Sequence, residues 1–338
     1  MELWERYGIT AYNIANPTEA LPSSYWVLKN ALDYKKPKIV IVEMFFAGDE
    51  KVTNEKEEFL HNFFDELPLS INKIAAIKDL LPLESMPEYL FPFVLYHDRW
   101  KEISKTDFVE AKNLNKGAEE LKGHYISGEM CYTSEMGTPF ATSEEYLNKI
   151  VDLCDKNEIE LILMCAPYAA TVEEQIRHNA YYKFANDNDV EYLNMIGKNI
   201  VDYDIDLSNR GHLNGSGALK VTDYLGDYLV NTYGAGYFSH SKEESEHWDE
   251  ARADYESQMD KKIQAETDIY NCLIMLQNPV YECEITLNNG SICLQNCYLT
   301  KMIQAVYMAE NSVNYVDECD YDISINIRKR RNSCTQRI

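Results

Sequence analysis

Two short apolar runs constrain the fold more than any other feature: Ile39-Val40-Ile41-Val42 and Leu161-Ile162-Leu163-Met164-Cys165-Ala166. Both are continuous rather than alternating and of strand length, the pattern of a strand covered on both faces in a parallel sheet. Each follows an amphipathic helical stretch. Ser23 to Tyr34 precedes the first. Glu144 to Asn157 precedes the second, with Tyr146, Ile150, Leu153 and Cys154 on one side and Ser143 as the expected N-cap. A helix from Thr171 to Ala185 then leads to a shorter strand at Glu191 to Met195. This rhythm predicts an α/β chain on an open parallel sheet, with residues 38–44 and 160–167 as parallel neighbours. Loops at the C-terminal ends of such strands form the site.

The next stretch, Val201 to Asn231, holds the histidine in the most suggestive setting, His212. Ser208-Asn209-Arg210-Gly211 precedes it and Asn214-Gly215-Ser216-Gly217 follows. A helix begins at once, with Val221, Leu225, Tyr228 and Leu229 on one face and Ser216 as the expected N-cap. A histidine in such a loop is held by the packing of the helix while its ring reaches a cleft, a common place for a general base. The plainer alternative is a surface-loop histidine.

The chain carries a net charge of −24, which turns it away from nucleic acid and from anionic membrane surfaces. The basic run Arg328-Lys329-Arg330-Arg331 reads as a solvated terminus. Nine cysteines, an odd number with no Cys-x-x-Cys pair, suit a reducing setting better than a disulfide framework, and Cys154 and Cys165 fall on apolar patterns as buried thiols. No stretch reads as a membrane span, and no basic region opens the chain as in a signal peptide. No metal-ligand spacing and no glycine-rich phosphate loop is present, so neither a metal nor a cofactor is expected.

Residues 51–142 read as a helical and irregular insertion, with helices near Glu55–Leu67 and Asn72–Leu81 and a dense polar-aromatic box, Tyr96-His97-Asp98-Arg99-Trp100. In that box, His97, Arg99 and Trp100 suit either local ion pairing and packing or contact with an anion or a sugar. Composition shifts after Gly236. Residues 237–278 read as a long charged helix, with Trp248, Ala251, Tyr255, Met259 and Ile263 in a packing stripe. Residues 279–338 read as a small α/β appendage: a hairpin of 281–287 and 292–298 about Asn288-Asn289-Gly290, a helix from Leu299 to Met308, and a strand at Asp322 to Ile327.

His212-Leu213-Asn214, followed by a small-residue turn and a helix and preceded at the third position by Asn209, resembles the last sequence block of the SGNH (GDSL-type) hydrolases. The closest branch is that of DltD- and AlgX-like acyltransferases and esterases that modify cell-surface polymers. Leu3-Trp4-Glu5, Tyr7-Gly8-Ile9 and Tyr12-Asn13, the Tyr-bearing helix, Lys36-Pro37-Lys38 with its strand, and the Tyr96–Trp100 box are similar to the same branch. The resemblance implies a three-layer, flavodoxin-like sheet over residues 1–236. It implies His212 as the base for a serine nucleophile, substrate-facing His97, Arg99 and Trp100, and an acylated carbohydrate polymer as substrate. A membrane acyltransferase partner and an extracytoplasmic, membrane-anchored setting are typical of the relatives. The family orients its histidine with an aspartate three residues before it. Asn209 stands there, and Asp206 or Asp204 are alternative orienting carboxylates. The strand and turn that carry the family's serine are expected ahead of Met1, so the sheet is expected to lack its first strand. Gly215-Ser216-Gly217, Ser127-Gly128 and Ser23-Ser24 are poor substitutes. Two readings follow: an esterase or acyltransferase inactive without that serine, or a non-catalytic carbohydrate-binding or scaffold protein.

Overall fold

A computed structural model describes residues 1–16, 19–48, 57–91, 101, 103–104, 116–118, 120–288, 296–309, 311–316 and 323–329. The elements are α1 (Glu2–Tyr7), α2 (Leu21–Ala31), β1 (Ile39–Glu43), α3 (Glu57–Glu66), α4 (Ile71–Leu80), α5 (Met86–Leu90), α6 (Ala141–Lys156), β2 (Glu160–Cys165), α7 (Val172–Asn179), α8 (Tyr181–Asp187) and β3 (Glu191–Asn194). There follow β4 (Leu207–Asn209), β5 (His212–Leu213), α9 (Gly215–Tyr233), α10 (Lys242–Ala265), α11 (Ile269–Met275), β6 (Tyr281–Asn288), α12 (Cys297–Met308), β7 (Ser312–Val316) and β8 (Ile323–Lys329). The chain is mixed α/β with a small parallel sheet in the order β1-β2-β3.

The two apolar runs pair as expected, in parallel register from Ile39↔Glu160 to Glu43↔Met164, and β3 joins β2 with Leu163↔Tyr192. Side chains alternate between two apolar clusters, because successive residues of a strand point to opposite faces. Val42, Leu163, Cys165 and Tyr192 pack with α2, α4 and α6 through Trp26, Ile77, Leu147 and Ile150. Ile162, Leu193 and Met195 pack with α9 through Val221, Leu225 and Leu229. One difference concerns β1. Its pattern reads as fully covered, yet Ile39, Val40 and Ile41 are only half-buried, because β1 has a strand neighbour on one side alone among the described residues.

Several local expectations shift. Ser143 does not cap α6, which starts earlier at Ala141; it is buried inside the helix, and its hydroxyl donates to the Ala47 carbonyl. The 171–185 helix divides at Ala180, and Thr171 closes a capping box with Glu174 at its start. The long charged helix stops at Ala265, and Asp268 caps α11 by accepting from the Asn271 amide. Of the expected tail hairpin, residues 289–295 lie outside the described residues. Cys297 and Tyr298 are helical, and β6 uses its edges for two distant strands, β7 in parallel and β8 antiparallel. Strand β7 itself carries too weak an alternation to stand out in sequence. A second core gathers α10, α11, α12 and β6 through Met259, Ile263, Leu273, Ile285, Met302 and Val306, and Ile205 from the His212 loop joins it.

Candidate functional site

The C-terminal ends of β1 and β2 meet the β4–β5 hairpin. Phe45, just past β1, packs its ring against Tyr168 beyond β2, with centroids 4.8 Å apart, and stacks on His212 at 6.4 Å. The Ala169 amide donates to the Arg210 carbonyl at 2.9 Å, and the Arg210 guanidinium pairs with Glu174. These contacts fix the hairpin against the sheet. A side chain at Gly211 would stand 3.3 Å from the Phe45 ring, so a small residue is suited to the turn.

His212 is exposed, and its Nδ1 lies 2.9 Å from Asn209 Oδ1. The Gly211 amide donates to the same oxygen at 2.9 Å, which settles which end of the Asn209 amide faces inward. An amide oxygen only accepts, so Nδ1 carries the proton of the neutral ring and Nε2 presents a lone pair. That is the arrangement of a base whose second nitrogen is held by an orienting group.

The alternative orienting carboxylates are committed elsewhere. Asp206 is fully buried and accepts from the Asp202 amide at 2.7 Å, from Ser216 Oγ at 2.7 Å and from Lys220 Nζ at 2.6 Å. Asp204 accepts from the Gly128 amide at 3.3 Å and pairs with Lys301. Among the described residues Asn209 alone is bonded to the ring. The helix N-cap is likewise not Ser216 but Asn214, whose oxygen accepts from the Gly217 amide at 3.1 Å while its nitrogen donates to the Ile205 carbonyl at 2.7 Å. The order follows from burial: Asn214 has no exposed surface, and it satisfies groups on both sides of the turn. Ser216 Oγ is held between Asp206 and the Gln277 amide at 2.8 Å. A hydroxyl gives one proton, here to Asp206. The Gln277 N–H₂ therefore donates to Ser216, the orientation that also supplies the partner Gln277 Nε2 otherwise lacks.

None of the serines weighed from sequence is bonded to His212. Ser23 is buried in α2, Ser24 Oγ donates to the Ala20 carbonyl, and Ser127 Oγ donates to the Gly128 carbonyl. His97, Arg99 and Trp100 lie outside the described residues.

Sequence reading missed two features of this rim. The first is Glu43, an acid closing an otherwise apolar strand. That position, at the C-terminal end of a parallel strand, was the available signal. Its carboxyl accepts from the Ala166 amide at 3.2 Å and keeps solvent contact. Protein nevertheless surrounds it closely enough that desolvation pushes it from 4.5 up to about 7, against the opposing pull of backbone amides. The second is the buried pair beneath Phe45, where Tyr168 Oη lies 2.9 Å from His178 Nε2. Desolvation lowers His178 from 6.5 to about 4 and raises Tyr168 well above the usual phenol value.

Among the described residues no three His, Cys, Asp or Glu side chains converge on a metal position, and no helix is long and apolar enough to cross a membrane. Burial pushes the Cys154 and Cys165 thiols up, so both are poor nucleophiles. Compared with known protein families, curated proteins and solved structures, the chain finds no match.

Proposed function

We propose that the chain carries the base of an SGNH-like ester-hydrolysing or acyl-transferring site directed at O-acyl groups of a carbohydrate or related polymer. One observation carries this reading. His212 is exposed at the C-terminal rim of a parallel sheet and held through Nδ1 by Asn209, with no hydrogen bond to Nε2 among the described residues. The parallel order and the two covered sheet faces agree with the three-layer architecture that the resemblance implies. In such chemistry Nε2 takes the proton of an attacking hydroxyl and returns it to the departing alkoxide.

The described residues supply the base and its orienting amide, with no serine bonded to the ring. Loss of triad members lowers rates by on the order of a million-fold in serine hydrolases. This chain alone is therefore expected to show no measurable turnover of activated acyl esters. Fusing a strand that ends in Gly-x-Ser ahead of Met1 is expected to create turnover, which His212→Ala then abolishes. Turnover by the unfused chain that a serine-directed phosphonate blocks would overturn this assignment. The amide at Asn209, where a carboxylate would stabilise an imidazolium, favours a second reading as a carbohydrate-binding or scaffold protein of the same architecture.

A further inference from the structure

Away from the rim, the three helices α3, α4 and α5 hold a buried histidine between two acids. His61 of α3 is 4% exposed. Its Nδ1 lies 3.2 Å from Asp65 Oδ2, one turn along the same helix. Its Nε2 lies 3.6 Å from Glu88 Oε1 on α5, within ion-pair reach but too long for a hydrogen bond. Tyr89, the next residue of α5, stacks its ring on the imidazole, with centroids 4.4 Å apart and planes 24° from parallel. Tyr89 also packs on Phe64 of α3 at 5.2 Å, so the patch that docks α5 is the patch that carries the histidine. Helix α4 adds Lys73, a buried cation on the Asp65 side. Among the described residues Glu88 pairs with no Lys or Arg, and its side chain is 43% exposed.

We propose that His61 is a pH-sensitive clamp: the doubly protonated ring joins Asp65 of α3 to Glu88 of α5 and holds α5 docked, and loss of one proton loosens α5. The reasoning starts from donor counts. A carboxylate only accepts, and a neutral imidazole has one N–H, so a neutral ring cannot serve both acids. The shorter contact, to Asp65, keeps the proton on Nδ1. Nε2 then turns a lone pair towards the Glu88 carboxylate, and an attraction becomes a repulsion. The Tyr89 ring face works in the same sense, because a π face attracts a cation more than a neutral ring. Both groups that α5 presents to His61 therefore favour the charged form. By linkage, the charged form favours docked α5. Asp65 and Lys73 stay on α3 and α4 whether or not α5 is docked, so they bear on the ring's charge without reversing this link. Imidazole titrates where carboxylates stay ionised, so the clamp works within the physiological range. It is independent of the ester-cleaving reading of His212.

The test is amide hydrogen exchange of α5 in the whole chain, read at the Phe91 amide, which donates to the Pro87 carbonyl. Rates are taken at roughly pH 5 and pH 8, either side of ordinary imidazole titration, and divided by those of an unstructured peptide to leave the opening equilibrium. Opening in the natural chain is expected to be about threefold greater at the higher pH, the size of a partly exposed ion pair. Glu88→Gln keeps the shape and is expected to lose most of that difference. Glu88→Lys is expected to reverse it, because an ammonium repels the charged ring and donates to the neutral one. A purely structural Glu88 would not produce the reversal. Equal pH ratios in the natural chain and Glu88→Gln overturn the proposal, as does a Glu88→Lys chain whose α5 still opens more at the higher pH. Nitrogen-15 spectra of the natural chain give a second measurement that needs no variant. Both His61 nitrogens are expected to carry protons at the lower pH, and a lone pair persisting on Nε2 there overturns the proposal as well.

Discussion

At the scale of single residues, the site turns on which nitrogen of His212 carries the proton. Free imidazole favours the proton on Nε2, and the Asn209 oxygen reverses that choice. Nitrogen-15 spectra of the neutral ring are expected to show the Nδ1–H form in the natural chain and a return to the Nε2–H form in Asn209→Ala. An unchanged tautomer in the variant would remove Asn209 from its orienting role. The Asn209–His212 relation was legible only through the resemblance, which sets an orienting residue three before the histidine; the two-residue turn of the β4–β5 hairpin is what brings the two side chains together. Glu43 was not legible. One acid among 56 acidic residues becomes distinctive only when the ends of β1 and β2 close around it. The assignments of Asp206 and Asp204 stayed open for the same reason. Their partners Lys220 and Lys301 lie 14 and 97 residues away, and only folding selects between them and the ring.

At the scale of elements, the start of α9 is the most tightly specified point of the rim. Asn214→Ala removes a buried cap and the bond to Ile205, and a loss of about 1–2 kcal/mol is expected from denaturant unfolding. Gly217→Ala is expected to be more severe. Its Cβ would stand 2.3 Å from the Asp206 carbonyl, so the helix start must move away from the strand that carries Asn209. A Gly217→Ala variant with unchanged stability would show that this junction yields. Elements specified by nearby residues were the readable ones: β1, β2, β3 and the helices between them. The pairing of β6 with β7 and β8 was not legible, because Asn288-Asn289-Gly290 is a local signal whereas the partners of β6 are chosen by a core that includes residues 259 to 306. The break before α11 escaped notice because no glycine or proline marks it: the long helix ends at Ala265 with Glu266 at its C-cap, and Asp268 caps the start of the next.

At the scale of the whole molecule, two desolvated groups set opposing pH responses. His178 is held at about 4 in the folded chain against 6.5 when exposed, so the unfolded chain gains the proton first as pH falls. Its contribution is complete above 6.5 and is lost towards 4, on the order of 3 kcal/mol across that window. Glu43 acts in the reverse sense. Its folded value near 7 lies above 4.5, so the folded chain gains that proton first and stability rises as pH falls from 7 towards 4.5. Between 6.5 and 4.5 the two effects have opposite signs. Glu43→Gln removes the gain, so its melting temperature is expected to drop more between pH 7 and pH 5 than that of the natural chain. Parallel melting curves would show that Glu43 does not titrate in that range.

The buried clasp of Ser216 between Asp206 and Gln277 has a consequence for synthesis. Bonds that hold the His212 loop reach back to Phe45 and forward across 61 residues to Gln277. A chain emerging from the ribosome completes β1, β2 and β3 well before it has made the residue that closes the clasp. The sheet can therefore settle early, but the His212 loop is locked in place only after the second core has begun to form. The order of assembly follows from where Gln277 falls in the chain.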